Sequence, residues 1–373
     1  MNGTIRVGNL FGIPFYIHPS WFFVLTLFTW TYSNQLAVLF PGLGAGTPWI
    51  LGLIAALLLF ASVLAHELGH SFVAKSQGIE VKSINLFLFG GLASLEKESK
   101  TPGEAFWVAI AGPVVSLLLF GLLTFVGTNF TISGPIAAIV GLLASLNLML
   151  ALFNLIPGLP LDGGNILKAI VWKITGNQYK GIVFAGRVGQ IFGWIAIATG
   201  LLPLVFGSFP NFWTLLIGWF LLQNATQFAR SAKVQDTLSS LTAIDAVVPN
   251  SPIVSESLTL REFANEYVIG KDNWRQFLVT DESGYLVGAI AADALKTIPV
   301  DLWPRTLVKE LVQPVDPTTT IKADQSLLDV VTLIEQKQVS ELPVVGENGV
   351  LVGILEKTSI LNLLQRQAQA KLA

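Results

Sequence analysis

A chain of 373 residues with 52% hydrophobic and only 12% charged residues, and a mean hydropathy of +0.64, is too apolar for an ordinary soluble protein, in which roughly 25% of residues are charged. The net charge of −2 offers no basic surface for nucleic acid, and the absence of cysteine excludes disulfides and thiolate metal sites. Charge is sparse up to about residue 230 and common afterwards, which predicts a membrane part followed by a soluble part.

Residues 1–21 lack the basic start and small-residue cleavage site of a secretory signal, and are expected to stay in the mature chain. Four regions then run without an ionisable residue long enough to cross a bilayer. Residues 20–65 and 105–161 each have room for two spans, and 188–206 and 211–229 for one apiece. Six helices are predicted, at approximately 20–40, 50–75, 105–127, 134–156, 188–206 and 211–229, each near the roughly 20 residues a bilayer requires. The loops at 41–49, 127–134 and 206–210 carry no Lys or Arg. The opposite side carries Arg6, Lys75, Lys82, Lys97, Lys100, Lys168, Lys173, Lys180, Arg187, Arg230 and Lys233. The positive-inside rule therefore predicts that both ends of the membrane part lie in the cytoplasm; a bacterial inner (cell) membrane is the expected setting and an organelle membrane the alternative.

The second predicted helix carries His66-Glu67-Leu68-Gly69-His70 after that long uncharged run. Residues four apart share a helix face, so His66 and His70 can offer two imidazole nitrogens to one metal ion. Glu67, one position round, can act on a water at the ion without ligating it. Ionisable groups are costly at membrane depth, so three within five residues imply a purpose. Nine residues of helix separate His66 from Lys75, placing the pair about 14 Å above that lysine, within the cytoplasmic half of the bilayer.

Two histidines need a further ligand, since catalytic zinc commonly takes three. Asp162 ends 57 residues without a charge and follows Pro157 and Pro160, which break the fourth helix at the level of the histidines. Broken backbone at that depth is tolerated where it is buried in protein or lines a wet cavity. His18, beside Pro19, is the remaining histidine. Asn147 and Asn154, two turns apart on one face, are candidates either to bond a substrate carbonyl or to bridge helices. Residues 79–99 alternate and then read Leu86-Phe87-Leu88-Phe89-Gly90-Gly91, predicting a hairpin or short sheet. Phe89, Gly90 and Gly91 form an edge that is expected either to pair with an extended peptide or to serve structural packing alone.

Together these residues resemble the site-2 protease family of intramembrane zinc metalloproteases. The resemblance covers roughly residues 9–164: the His-Glu-Leu-Gly-His helix, the Phe-Gly-Gly hairpin, Ala111-Gly112-Pro113, and Asn154…Pro157…Pro160-Leu161-Asp162-Gly163. It implies one Zn2+ held by His66, His70 and Asp162, with Glu67 as general base. It also implies a substrate that is itself a transmembrane helix, cut near the cytoplasmic face. His18 matches a His-Pro near the first helix of relatives.

From about residue 234 two segments repeat with a period of 65 residues, Phe277…Gly288 aligning with Leu342…Gly353. The repeat resembles a tandem pair of CBS modules. The boundaries read as a membrane metalloprotease part at 1–230, a linker at 231–244 and a CBS pair at 245–373, with repeats at 245–298 and 308–365. Such pairs bind adenosine nucleotides through a Thr and an Asp after the hairpin glycine. Here those positions hold Ala291 and Ala294, then Glu356 and Ser359, and Asp293 is one place out of register. Nucleotide binding is therefore in doubt, while homodimerisation or substrate gating survives. Two other classes fit less well. A CBS-regulated transporter would spread polar residues along several spans, and an inactive membrane-protein binder would have no use for the intact His66, Glu67, His70 and Asp162.

Overall fold

The computed structural model describes residues 3–87, 90–270 and 274–370. The chain divides into two units, Met1–Lys233 and Val234–Ala373.

The first unit opens with strands that hydropathy alone had passed over. β1 (Ile5–Leu10) and β2 (Ile13–Ile17) form an antiparallel hairpin whose turn places Phe11 and Gly12 at φ of 53° and 83°. Successive positive φ values give the tight turn that suits the right-handed twist of two strands. After α1 (Ser20–Leu39) and α2 (Thr47–Ser76) come β3 (Val81–Phe87) and β4 (Gly90–Leu95). β2 pairs in parallel with β3, so the predicted hairpin is half of a four-stranded sheet in the order β1-β2-β3-β4. Ile13, Ile17 and Trp21 pack with Ala74, Ile84 and Leu86, fastening that sheet to the end of α2.

α3 (Pro102–Asn129) starts at Thr101, whose hydroxyl accepts from the Glu104 amide, with Pro102 in the first turn where no donor is missed. α4 (Gly134–Asn154) follows. The chain then breaks at the Pro157–Pro160 stretch, and α5 begins at Asp162 and runs to Thr175 (Asp162–Thr175). This helix was not among the predicted spans. At 14 residues it reaches about 21 Å, short of a bilayer core. α6 (Gln178–Val205) and α7 (Phe212–Ser239) complete the set.

Five of these helices, α1, α2, α3, α4 and α6, are long and apolar enough to cross a membrane. The sixth predicted span exists as α7 but is not among them, because Gln223, Asn224, Thr226 and Gln227 fall in its middle turns. The helix also continues to Ser239, through much of the stretch read as a linker.

The second unit holds two three-stranded sheets of matching topology. In one, β5 (Ile253–Ser255) lies parallel to β6 (Gln276–Thr280), which pairs antiparallel with β7 (Leu286–Ala291). In the other, β8 (Ile321–Lys322) is parallel to β9 (Glu341–Val345), antiparallel to β10 (Leu351–Glu356). α8 (Leu260–Phe263), opened by the Thr259–Glu262 capping box, puts Phe263 against Phe277 in the first core. In the second, α9 (Leu327–Lys337) brings Leu327, Val330 and Ile334 onto Leu342, Val344 and Leu355, and α10 (Lys357–Ala370) adds Ile360. The three-to-four spacing of those α9 residues is that of one buried helix face.

Candidate active site

α2 carries His66, Glu67 and His70 on buried turns: His66 is 3% exposed and Glu67 9%. The break after α4 turns the chain so that Asp162, at the start of α5, faces them. Gly163 makes that turn possible, since a Cβ there would overlap the Leu155 and Ile156 carbonyls. The three groups converge on one point. Asp162 Oδ2 lies 3.1 Å from His66 Nε2 and 3.3 Å from His70 Nε2, and the two Nε2 atoms are 3.3 Å apart. A tetrahedral ion with ligands at about 2.0–2.1 Å would set its donor atoms about 3.3–3.4 Å apart. Two neutral imidazoles and one carboxylate at this spacing could hold a divalent ion, and the donor set suits zinc.

The far sides of both rings are also held. His70 Nδ1–H donates to the Val108 carbonyl at 2.7 Å, and a carbonyl can only accept, so the Nε2 lone pair is left facing Asp162. His66 Nδ1 is 2.9 Å from the hydroxyl of the fully buried Ser116. Both partners come from α3 and orient the imidazoles as outer ligand partners do in metal sites. Neither was evident beforehand: a backbone carbonyl carries no residue signature, and a serine in an apolar helix is usually a packing residue.

Glu67 sits beneath the sheet edge. A Cβ on Gly91 would overlap Glu67 Cγ and lie 2.9 Å from its Oε1, so this strand approaches the carboxylate as only a glycine backbone can. β4 pairs only with β3 among the described residues, and it borders a cavity. Gly90 and Gly91 line that cavity, while Phe89 lies outside the described residues. The cavity has a volume of about 610 Å³, and its walls include Val63, Leu150, Asn154, Phe220 and Asn224 besides the four reactive groups.

The other predicted site residues fall elsewhere. Asn154 lines the cavity, but Asn147 does not. Asn147 is fully buried between helices, donating to Ser62 Oγ and the Leu143 carbonyl. That is the helix-bridging alternative. His18 is exposed, and its Nδ1 accepts from the Ser20 amide at the first turn of α1. It bonds the first residue of that helix and does not line the cavity.

The model of peptidase family M50 matches residues 54–134 and 129–196, and the CBS domain model matches 308–366. A putative zinc metalloprotease of Synechocystis, sll0528, is 60% identical, covering 99% of this chain and 97% of its own. The chain belongs to the site-2 protease family, peptidase family M50. The putative zinc metalloprotease Rip3 of Mycobacterium tuberculosis is 31% identical over 98% of this chain and 93% of its own. Zinc metalloprotease MJ0392 of Methanocaldococcus jannaschii, also 31% identical, covers 98% and 97%. The solved site-2 protease from the same archaeon aligns with a TM-score of 0.45 at 32% identity, covering 61% of this chain and 95% of that one. The protein is an integral membrane zinc metalloprotease with a C-terminal CBS domain, and membrane proteins are its substrates. The transporter and inactive-binder readings are not favoured.

Proposed function

We propose that His66, His70 and Asp162 hold the zinc ion and that Glu67 is the general base for cleavage of a substrate transmembrane helix near the cytoplasmic face. The observation that carries this reading is the triangle of Nε2, Nε2 and Oδ2 atoms at 3.1–3.3 Å with the Glu67 carboxylate on the adjoining turn. Zinc, when bound, supplies Lewis acidity toward the scissile carbonyl and lowers the pKa of water to about 7. Glu67 takes the proton of the attacking water at its carboxylate and passes it to the leaving amine. Apolar walls around the site limit bulk water and strengthen each of these interactions.

A membrane helix keeps its carbonyls in internal hydrogen bonds, so the substrate must unwind before it can react. The free edge of β4 offers replacement partners for an extended strand running over Glu67. In this reading Asn154, which lines the same cavity, donates to a substrate carbonyl.

The Lys and Arg asymmetry, with α7 counted as the sixth crossing, supports a cytoplasmic N-terminus and CBS unit. A single cysteine at Gly44 or Asn129, in this cysteine-free chain, is expected to react with an impermeant thiol reagent added outside intact cells. One at Lys97 or Ser240 is expected to stay unlabelled. The opposite pattern would overturn both the sidedness and the cytoplasmic cleavage side.

In the CBS pair the hydroxyl of Ser359 is already engaged, donating to the Ala246 carbonyl at 2.7 Å and accepting from the Glu356 amide. Asp293 is exposed and ion-paired with Lys296. Ala291 and Ala294 have no group to offer a ribose. Too few partners remain to offset the desolvation of a sugar hydroxyl pair. The module serves gating or dimerisation in this reading. Calorimetry of the Val234–Ala373 unit is expected to give no micromolar binding of ATP, ADP or AMP. Micromolar binding by any of them would show that other residues read the nucleotide.

A further inference from the structure

The catalytic cavity contains two charged groups that the hydrolytic chemistry does not use, Lys168 and Glu98. Lys168 lies on α5, six residues beyond Asp162, and lines the same cavity as His66, Glu67 and His70. Among the described lining residues it is the one cation. It makes no ion pair among the described residues. Glu98 lines the same cavity and accepts a hydrogen bond from Gln178 Nε2 at the start of α6, without forming an ion pair with the lysine. Burial lowers the lysine's pKa from its ordinary value, and Glu98 opposes that shift from beyond ion-pair distance. A half-buried ammonium without an ion pair of its own is free to meet an anion that enters the cavity.

We propose that Lys168 is a specificity residue that receives an acidic side chain of the substrate, about three residues from the scissile bond. The distance follows from geometry. Six residues of helix set Lys168 about 9 Å from Asp162 along the α5 axis. An extended substrate strand advances about 3.3 Å per residue, so it covers that distance in about three. The carboxylate released by cleavage forms at the scissile carbon beside Asp162, and is therefore not the group Lys168 meets. β4, through Gly90 and Gly91, and α5, through Asp162, Asn165 and Lys168, line one cavity, so a substrate held there meets both. A charge-assisted hydrogen bond at that point would fix which peptide bond is presented to Glu67. This inference rests on the protease reading, and its test separates the two.

The probe is a single-span reporter helix incubated with the full-length protein in neutral lipid vesicles. It is remade with Asp, Asn or Lys at each of the four positions on either side of the cleaved bond. Wild-type protein is expected to prefer Asp over Asn by about tenfold in kcat/KM at one position near the third. Lys168→Met should bring that ratio close to one, and Lys168→Arg should keep it. Lys168→Glu should reverse it in favour of Lys, and zinc content should match wild type in all three variants. If the reporter is cut but the Asp to Asn ratio is the same in wild type, Lys168→Met and Lys168→Glu, the assignment is wrong while the protease reading stands. Should no reporter be cut by wild-type protein, the protease reading fails and takes this inference with it.

Discussion

Glu67→Gln is expected to retain about one zinc ion per chain and to lose at least about 10²–10⁴-fold in cleavage rate, the usual contribution of a positioned acid–base group. The carboxylate lies beside the ligand triangle and not within it, so the amide removes a proton acceptor without removing a donor to the ion. Asp162→Ala should behave differently. It deletes one of three converging atoms, and both metal content and cleavage should fall together. Metal analysis of the purified full chain, beside cleavage of a membrane-inserted reporter, separates the two roles. Full zinc and full activity in Asp162→Ala would remove that residue from the ligand set. Unaltered cleavage by Glu67→Gln would remove Glu67 from the chemistry.

Gly112→Ala is expected to abolish metal binding and proteolysis, although it adds one methyl group to a helix. Gly112 sits on α3 directly over the ligand rings. A Cβ there would overlap His70 Nε2 and come within 2.6 Å of His66 Nε2, on the sides of the rings that must face the ion. By helix propensity alone, alanine should stabilise α3 by roughly 1 kcal/mol. The two effects oppose each other, so a variant that folds at least as well as wild type yet binds no zinc would identify the space itself as the requirement. Gly121→Ala, in the same helix with nothing within 4 Å of the added carbon, is the control and should change neither property. Wild-type zinc content and cleavage in Gly112→Ala would show that the ligand rings can shift to make room.

Gly112 also shows where reading the chain stops. Its motif with Ala111 and Pro113 was visible as a family resemblance, but its contact with two imidazoles appears only when α3 packs on α2. The His66–His70 pair was readable because helical periodicity is local: four residues suffice to place two rings on one face. The long apolar spans were readable for a similar reason, since a bilayer imposes length and composition segment by segment. Asp162 stood out only as a charge ending an uncharged run, and its meeting with His66, 96 positions earlier, depends on the turn at Gly163.

Where a polar residue has several possible partners, composition could not choose among them. Asn147 and Asn154 share a helix face in the sequence, yet packing buries Asn147 against Ser62 and leaves Asn154 on the cavity wall. His18 lies next to the first helix in either reading, and the structure bonds it to Ser20 and leaves it out of the cavity lining. Composition likewise counted α7 as a sixth apolar span, where the structure turns Asn224, Phe220 and Phe228 toward the cavity. The amino-acid sequence by itself determined which segments leave water and which residues carry reactive groups, because both follow from side-chain chemistry and short-range periodicity. Tertiary structure alone decided the parallel pairing of β2 with β3, the Ser116 and Val108 contacts behind the histidines, and the presence of Lys168 in the catalytic cavity. Each of those depends on segments far apart in the chain meeting at ångström distances, and no local pattern encodes such a meeting.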